Sequence, residues 1–373
     1  MSLVDPVALT QELVRLKTIN PPGDESLVAD HLAGILEGAG FDCRRLSLSP
    51  GRDNLVARIG DGEVRPLCFS GHMDTVPLGE APWSRPPLGG EIEEGRLYGR
   101  GASDMKAGLA ALTSAACRLA EQKIPRFGLV LVFSVGEETG CQGAGQLARE
   151  KGLLGPAGAM VVAEPTSNLP FLGHKGAVFL RAAARGKTAH GSMPEKGENA
   201  IYKAARAVIK AQEMEFGVEP HPFLGRPTIN VGTISGGTAT NVVPDWAEFS
   251  LDIRTVPGQE YREVLAAVAG QLGPEVELSP RVRADGIWTE ADDPWIGSVY
   301  DLLEERWGQR PQPKGATYFT DGQALVKALG KAPVLILGPG RPEMAHQTDE
   351  YCEVEKIAEA AEIYFEIGRA WRG

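Results

Sequence analysis

The run FGLVLVFSVGEETG (127–140) ends an apolar, strand-like stretch on two adjacent glutamates, Glu137 and Glu138. Neighbouring carboxylates repel each other, and a partly enclosed strand end makes that repulsion costlier. Such a pair either faces open water or is held by something cationic. Other stretches have a related form. LCFSGHMDTVP closes a buried strand on His72 and Asp74, MVVAEPTS places Glu164 just past apolar residues, and PVLIL leads into GPGRPEMAHQTDE, which carries His346. In LYGRGASDMKAG, Asp104 stands immediately before a helix beginning MKAGLAALTSAA.

Each position has an ordinary explanation. A lone histidine is more often structural than a ligand, His72 and Asp74 could form a hydrogen-bonded turn, and Ser103 or Asp104 could be an N-cap. Five such groups falling together at strand ends and a helix start is harder to explain that way. His72 and Asp74 are two apart in an extended segment and point the same way, so the carboxylate can orient the imidazole, as beside a metal-bound histidine. Two histidines and three carboxylates, with no cysteine, suit borderline-hard divalent ions such as zinc, cobalt or manganese. Five ligands suffice for two ions sharing a bridging carboxylate, roughly 3.5–4 Å apart. One of the paired glutamates can then be a ligand while the other takes a proton from water.

Other chemistries fit less well. Gly99 and Gly101 are followed by Asp104, so G-x-G-x-x-G is not met, and the Walker pattern is absent. The sequence has no G-x-S-x-G elbow of a serine hydrolase. With 38 basic and 49 acidic residues the net charge is −11, which disfavours nucleic-acid or anionic-membrane partners. No apolar stretch reaches membrane-spanning length, and MSLVDPVALTQELVRL reads as an amphipathic helix rather than a signal peptide. Five cysteines without a C-x-x-C pair read as reduced thiols of a cytoplasmic protein.

The elements that must position these groups form an α/β pattern. Helices fit 5–17, 25–39 and 103–121, and strands fit 53–59, 65–70, 127–134 and 158–163. This predicts a largely parallel sheet covered on both faces, with functional groups at the strands' carboxyl ends. From about 177 the order becomes βαββαβ, a ferredoxin-like unit: AVFLRAAARG, a helix over 198–213, TINVGTIS, AEFSLDIRT, a helix over 258–270 and VELSPRV. The first pattern resumes with a helix over 293–308, another from Asp321, the strand APVLILG and a closing helix from 353. The chain length also favours two domains. The expected division is 1–176 with 289–373 as one discontinuous domain, and 177–288 inserted in it.

The ordered motifs GHMDTVP, GRGASDMKAG, GEETG, AEPT, TAHGSMP, NVVPD, DIRTVPG and AHQTDE give the chain a resemblance, over nearly its whole length, to a family of dinuclear zinc metallopeptidases and deacylases. That family includes acetylornithine deacetylase, succinyl-diaminopimelate desuccinylase, aminoacylase-1 and carboxypeptidase G. The resemblance implies a zinc-exopeptidase-like α/β/α catalytic domain with an inserted lid and dimerisation domain. It implies two divalent ions, zinc first, with cobalt or manganese able to substitute. His72 and Glu164 would hold one, Glu138 and His346 the other, and Asp104 would bridge them, with a cis Asp104–Met105 bond. Asp74 would orient His72, and Glu137 would be the general base. His190 would reach the oxyanion from the partner subunit of a homodimer. Asn241 and Arg254 would hold the substrate carboxylate, although a turn and a surface ion pair explain them as well. Gly338 and Gly340 would shape the pocket floor, and TYFTDG (317–322) would meet substrate, unless Thr320 or Asp321 is simply an N-cap. The implied reaction is hydrolysis of a small N-acyl amino acid. The alternatives are a dipeptidase or carboxypeptidase G-like exopeptidase, or an inactive binding homologue.

Overall fold

The computed structural model describes residues 4–60, 64–122 and 128–373. The first three residues of the expected amphipathic N-terminus and Phe127 of the expected strand 127–134 lie outside them. The chain divides into two compact units, one of Met1–Gly173, Trp288–Lys314 and Thr320–Gly373, the other of His174–Ile287 and Gly315–Phe319.

The first unit is built on a sheet whose strands run in the order Asp42–Ser49, Arg52–Ile59, Leu129–Ser134, Leu67–His72, Ala159–Val162, Val334–Ile336. The central strands Leu67–His72 and Leu129–Ser134 are buried at every residue, as strands covered on both faces must be. They pair in parallel, as do Leu67–His72 with Ala159–Val162 and Ala159–Val162 with Val334–Ile336. The pairs Asp42–Ser49 with Arg52–Ile59 and Arg52–Ile59 with Leu129–Ser134 are antiparallel. Beyond Val334–Ile336 the sheet continues to Phe171–His174, paired antiparallel through Ile336 and Phe171, so it is parallel at its centre and antiparallel on both sides, a narrower result than the largely parallel sheet expected from the sequence. Asp42–Ser49 was not expected at all. It alternates half-buried and exposed positions as an edge strand does, so its sequence, DCRRLSLS, lacks an apolar run.

Helices cover this sheet. Pro6–Arg15 starts with Pro6 at its first position, and the Asp5 carboxylate accepts from the Val7 amide at 2.8 Å. Ala107–Glu121 is buried over most of its length and packs beside Val354–Ala370. The Tyr364 hydroxyl donates to the Leu337 carbonyl and its ring lies 5.8 Å from that of Phe69, which joins the last helix to the sheet. Among the described residues no helix is long and apolar enough to cross a membrane.

The second unit has a four-stranded antiparallel sheet in the order Thr228–Gly236, Trp246–Thr255, Gly176–Arg185, Val276–Ala284. Along Trp246–Thr255 burial alternates strictly, so one sheet face is apolar. Ala204, Ala207 and Ala211 of the helix Ala200–Gln212, with Val264, Val268 and Leu272 of Tyr261–Leu272, share a core with Leu180, Phe249 and Leu251 of that sheet. Small alanines on the first helix let it lie close. The strand order and two helices make the βαββαβ arrangement a ferredoxin-like fold.

Candidate metal centre

The five proposed ligands of the first unit converge. Ligand atoms of His72, Asp104 and Glu164 lie within 4.8 Å of one another, and so do those of Asp104, Glu138 and His346. Asp104 belongs to both groups and turns a different oxygen to each. Its Oδ1 is 3.1 Å from His72 Nε2, and its Oδ2 is 3.5 Å from His346 Nε2. Glu164 Oε1 is 3.8 Å from His72 Nε2, and Glu138 Oε2 is 3.1 Å from His346 Nε2.

Local structure explains each placement. His72 closes the strand Leu67–His72, while Glu138 and Glu164 lie just past the strands Leu129–Ser134 and Ala159–Val162. Asp104 is not an N-cap. The segment Ala102–Lys106 is a kinked turn in which Asp104 has non-helical dihedrals (φ −124°, ψ 91°), its bond to Met105 is cis, and the regular helix begins only at Ala107. With no helix end to cap, the carboxylate is free for another use. His346 adopts a left-handed backbone (φ 65°), a conformation that costs a non-glycine residue about 1–2 kcal/mol.

Asp74 holds His72 through the main chain more closely than through its side chain. The ring Nδ1 is 3.0 Å from the Asp74 carbonyl oxygen and 3.6 Å from Asp74 Oδ1. The carboxylate is occupied elsewhere, accepting the Glu137 amide at 3.1 Å, the Glu138 amide at 3.3 Å and the Asn20 side-chain amide at 2.9 Å. With Nδ1 donating to a carbonyl, Nε2 faces the Asp104 and Glu164 carboxylates.

The electrostatics are those of a site short of positive charge. Burial pushes Glu137 and Glu164 well above the usual carboxylate range; Glu164 adds to the shift of Glu137, and Asp104 and Glu138 to that of Glu164. Glu138 is raised by burial and by Asp104. Burial would lower His72, but Glu164, Asp104 and Asp74 outweigh it and hold the imidazole well above its ordinary value. Glu138 Oε1 is buried with no hydrogen-bond partner among the described residues. A donor-poor cluster of oxygens and imidazole nitrogens with such an orphan fits divalent cations.

Glu137 is 7% exposed, and its Oε1 accepts a long contact from the Cys141 thiol at 3.8 Å. Gly338 and Gly340 touch the ligand segments themselves. A Cβ on Gly338 would come within 2.2 Å of the Ala163 carbonyl oxygen and 2.5 Å of that of Glu164, and one on Gly340 within 2.1 Å of the Ser103 oxygen. Glycine lets three backbone segments meet here. Asp321 makes no side-chain cap; it accepts from the Ser134 hydroxyl, while the Thr320 hydroxyl accepts the Gly322 amide at 3.1 Å.

In the second unit His190 and Asn241 are brought together. His190 bridges Val242, and the Gly191 amide donates to the Asn241 carbonyl at 2.8 Å. His190 Nδ1 lies 2.8 Å from the Ser192 hydroxyl and 3.2 Å from the Ser192 amide, and the ring is exposed. Arg254 makes a two-pronged pair with Asp252 at 2.8 and 3.1 Å and stacks 5.3 Å above the Phe179 ring. The surface ion pair that could explain this arginine is thus present. Thr317, Tyr318 and Phe319 belong to this second unit, while Thr320, Asp321 and Gly322 belong to the first. Of the other histidines, His31 pairs with Glu12 at 2.9 Å, His174 is buried against the Lys175 carbonyl at 2.8 Å, and His221 Nδ1 accepts the Phe223 and Leu224 amides, both at 3.3 Å, in a turn.

Sequence reasoning missed the groups that hold these loops. The Glu350 carboxylate is fully buried, and it accepts the Gly101, Ser103 and Asp104 amides at 3.0, 2.8 and 3.0 Å. Its place in AHQTDE, four residues after His346, was the available signal. Asn20, which tethers Asp74, stands in a loop of the sequence with no such signal.

A family model described as Peptidase family M20/M25/M40 matches residues 68–369. A succinyl-diaminopimelate desuccinylase of Cereibacter sphaeroides is 33% identical over 98% of both chains. An acetylornithine deacetylase of Myxococcus xanthus is 34% identical over 94% of this chain and 93% of that one. Among solved structures, an M20 family metallo-carboxypeptidase from Sulfolobus solfataricus superposes with a TM-score of 0.80 at 19% identity, covering 98% of both chains. A dinuclear metal binding peptidase from M20 family of Bacillus subtilis gives 0.71 at 15% identity, over 98% of this chain and 96% of that one. At these identities the likeness shows the fold.

Proposed function

The chain belongs to peptidase family M20/M25/M40 and is an amide-bond hydrolase; from that premise we propose that it removes the acyl group, succinyl or acetyl, from a small N-acyl amino acid. The observation that carries this reading is Asp104, whose two oxygens each face one histidine of a separate ligand group. His72 and Glu164 would hold one divalent ion and Glu138 and His346 the other, with Asp104 between. Zinc suits this donor set, and cobalt or manganese would substitute. Bound there, the two ions would polarise the scissile carbonyl and make water a stronger acid.

The residues of the chain do the rest. Glu137 stands beside the ligands without being one of them; burial and Glu164 raise its proton affinity and bound ions would lower it, a balance that suits a base taking a proton from water and passing it to the leaving amine. Asp74 fixes both its amide and the His72 ring. His190, if its proton is on Nε2, would donate to a developing oxyanion; we assign that role across the twofold of a homodimer built through the second unit, which would also act as lid. Asn241 and Arg254 would bind the substrate carboxylate, Arg254 exchanging Asp252 for it, since a guanidinium fork fits either. Five unpaired thiols suit a reducing cytoplasm.

Both curated relatives described above are named for deacylation, which favours a deacylase over an exopeptidase. The test is amine release from N-succinyl, N-acetyl and N-formyl amino acids and from dipeptides by chelator-stripped protein restored with zinc or cobalt. Metal-dependent cleavage confined to one acyl class supports the assignment. Cleavage of dipeptides alone moves the chain to the peptidases.

A further inference from the structure

Glu350 and Arg100 form a buried ion pair, 0% and 2% exposed, whose bonds reach three segments near Asp104. Each Glu350 oxygen accepts twice. Oε1 takes the Ser103 and Asp104 amides, and Oε2 takes the Gly101 amide and, at 2.6 Å, Arg100 Nη1. The same Nη1 donates to the Gln347 carbonyl at 3.2 Å, and Nη2 donates to the Pro77 carbonyl at 3.1 Å. The Glu350 carbonyl accepts the Gly99 amide at 2.9 Å. Gln347 adjoins His346, Pro77 follows the His72–Asp74 loop, and residues 101–104 form the turn that carries Asp104.

A buried pair of this kind seldom adds net stability over apolar residues of the same volume. Here its four acceptances and two carbonyl bonds tie together three loops, two of which flank the paired strands Arg96–Tyr98 and Tyr351–Glu353. The Ala102–Lys106 turn is not a regular helix, and its Ser103 and Asp104 amides find their acceptor in Glu350. His346 holds its left-handed backbone beside a carbonyl pinned by Arg100.

We propose that Glu350, braced by Arg100, is a positioning residue that builds the shared metal site before any ion binds, setting the distance between Asp104 and His346. The proposal rests on the ligand assignment above. Outer groups that orient ligands are each worth about 10–100-fold in metal affinity.

The test compares wild-type protein with Glu350→Gln by metal content after equilibrium dialysis and by zinc affinity in chelator competition. The substituted side chain would turn an amide NH₂ toward donors that now meet a carboxylate oxygen, so zinc affinity should fall about 10–100-fold while the wild type binds two ions. Equal affinity and stoichiometry in the variant overturn the proposal. A wild type that fails to bind two ions overturns the ligand assignment instead, so the two failures are distinguishable. A second measurement uses unaltered protein and does not depend on the variant folding. Hydrogen exchange of the Gly101, Ser103 and Asp104 amides should be equally slow with and without zinc, because their acceptor belongs to the chain. Fast exchange in the metal-free protein alone would show that the metal, not Glu350, orders the turn.

Discussion

The backbone amide of Glu137 donates to Asp74 Oδ1 at 3.1 Å, so the residue assigned as base hangs from the residue that also steadies His72. The adjoining Glu138 amide reaches the other oxygen of the same carboxylate at 3.3 Å. One side chain thereby holds the backbone of both glutamates, of which Glu138 meets His346 and Glu137 stands beside the ligands without joining either group. Exchanging either glutamate separates their roles. Glu137→Gln should keep two ions while turnover drops about 10²–10⁴-fold, and Glu138→Gln should lose metal. Metal loss in Glu137→Gln, measured by metal content beside the rate, would mean the roles are reversed.

The buried acids and His346 around the centre should cost the metal-free protein stability as pH rises toward neutrality. Burial pushes Asp321 up to about 6 against the pull of Ser134 and His72, and Glu350 up to about 7 against Arg100 and the Gly101 and Asp104 amides. Unfolded carboxyls titrate near 4. Between roughly pH 4 and pH 7 these two carboxyls therefore hold protons when folded that they have released when unfolded, and their contribution to stability falls with pH across that window. His346, raised by its bond to Glu138, acts in the same direction: its contribution is full below the unfolded histidine value and lost as pH rises through the folded one. Asp74 and Asp104 are held low, because His72 outweighs the effect of burial, so their contribution is lost only in stronger acid. Burial pushes His174 down to about 4 and Lys106 down to about 7, and both act in the opposite direction, so the gap between zinc-loaded and metal-free midpoints isolates the cluster: thermal melts from pH 5 to pH 8 should show that gap widening. A gap that narrows over this range contradicts the cluster described.

The ligands were legible in the sequence because buried strands announce themselves. Leu129–Ser134 and Ala159–Val162 read as apolar runs, so a charged group just beyond each was conspicuous. The supports were less legible. Glu350 looks like an ordinary acidic loop residue until three amides from a distant turn are seen to point at it. Asp42–Ser49 and the helix Gln142–Arg149 were missed for local reasons: the first is a polar edge strand, and the second, QGAGQLAR, carries two glycines that weaken its helical signal. Asp104 was the opposite case, since its N-cap reading fit the local pattern and only the kinked turn removes it.

The assignment of His190 to the partner's site predicts complementation. His190→Ala and Glu137→Gln proteins should each be nearly inactive, yet mixed dimers formed after subunit exchange should recover activity in the fraction of sites that receive both intact residues. Activity in the mixture equal to the sum of the separate variants would exclude the cross-subunit role.

The central claim is that two ions share Asp104 in a site built for hydrolysis. Its most direct test is a single titration of chelator-stripped protein with zinc, in which bound metal per chain and the rate of amine release from an N-succinyl or N-acetyl amino acid are followed together. The account predicts no turnover without metal, two ions bound per chain at saturation, and activity that rises with their binding. Full activity in the stripped protein, or saturation at one ion per chain, would contradict it.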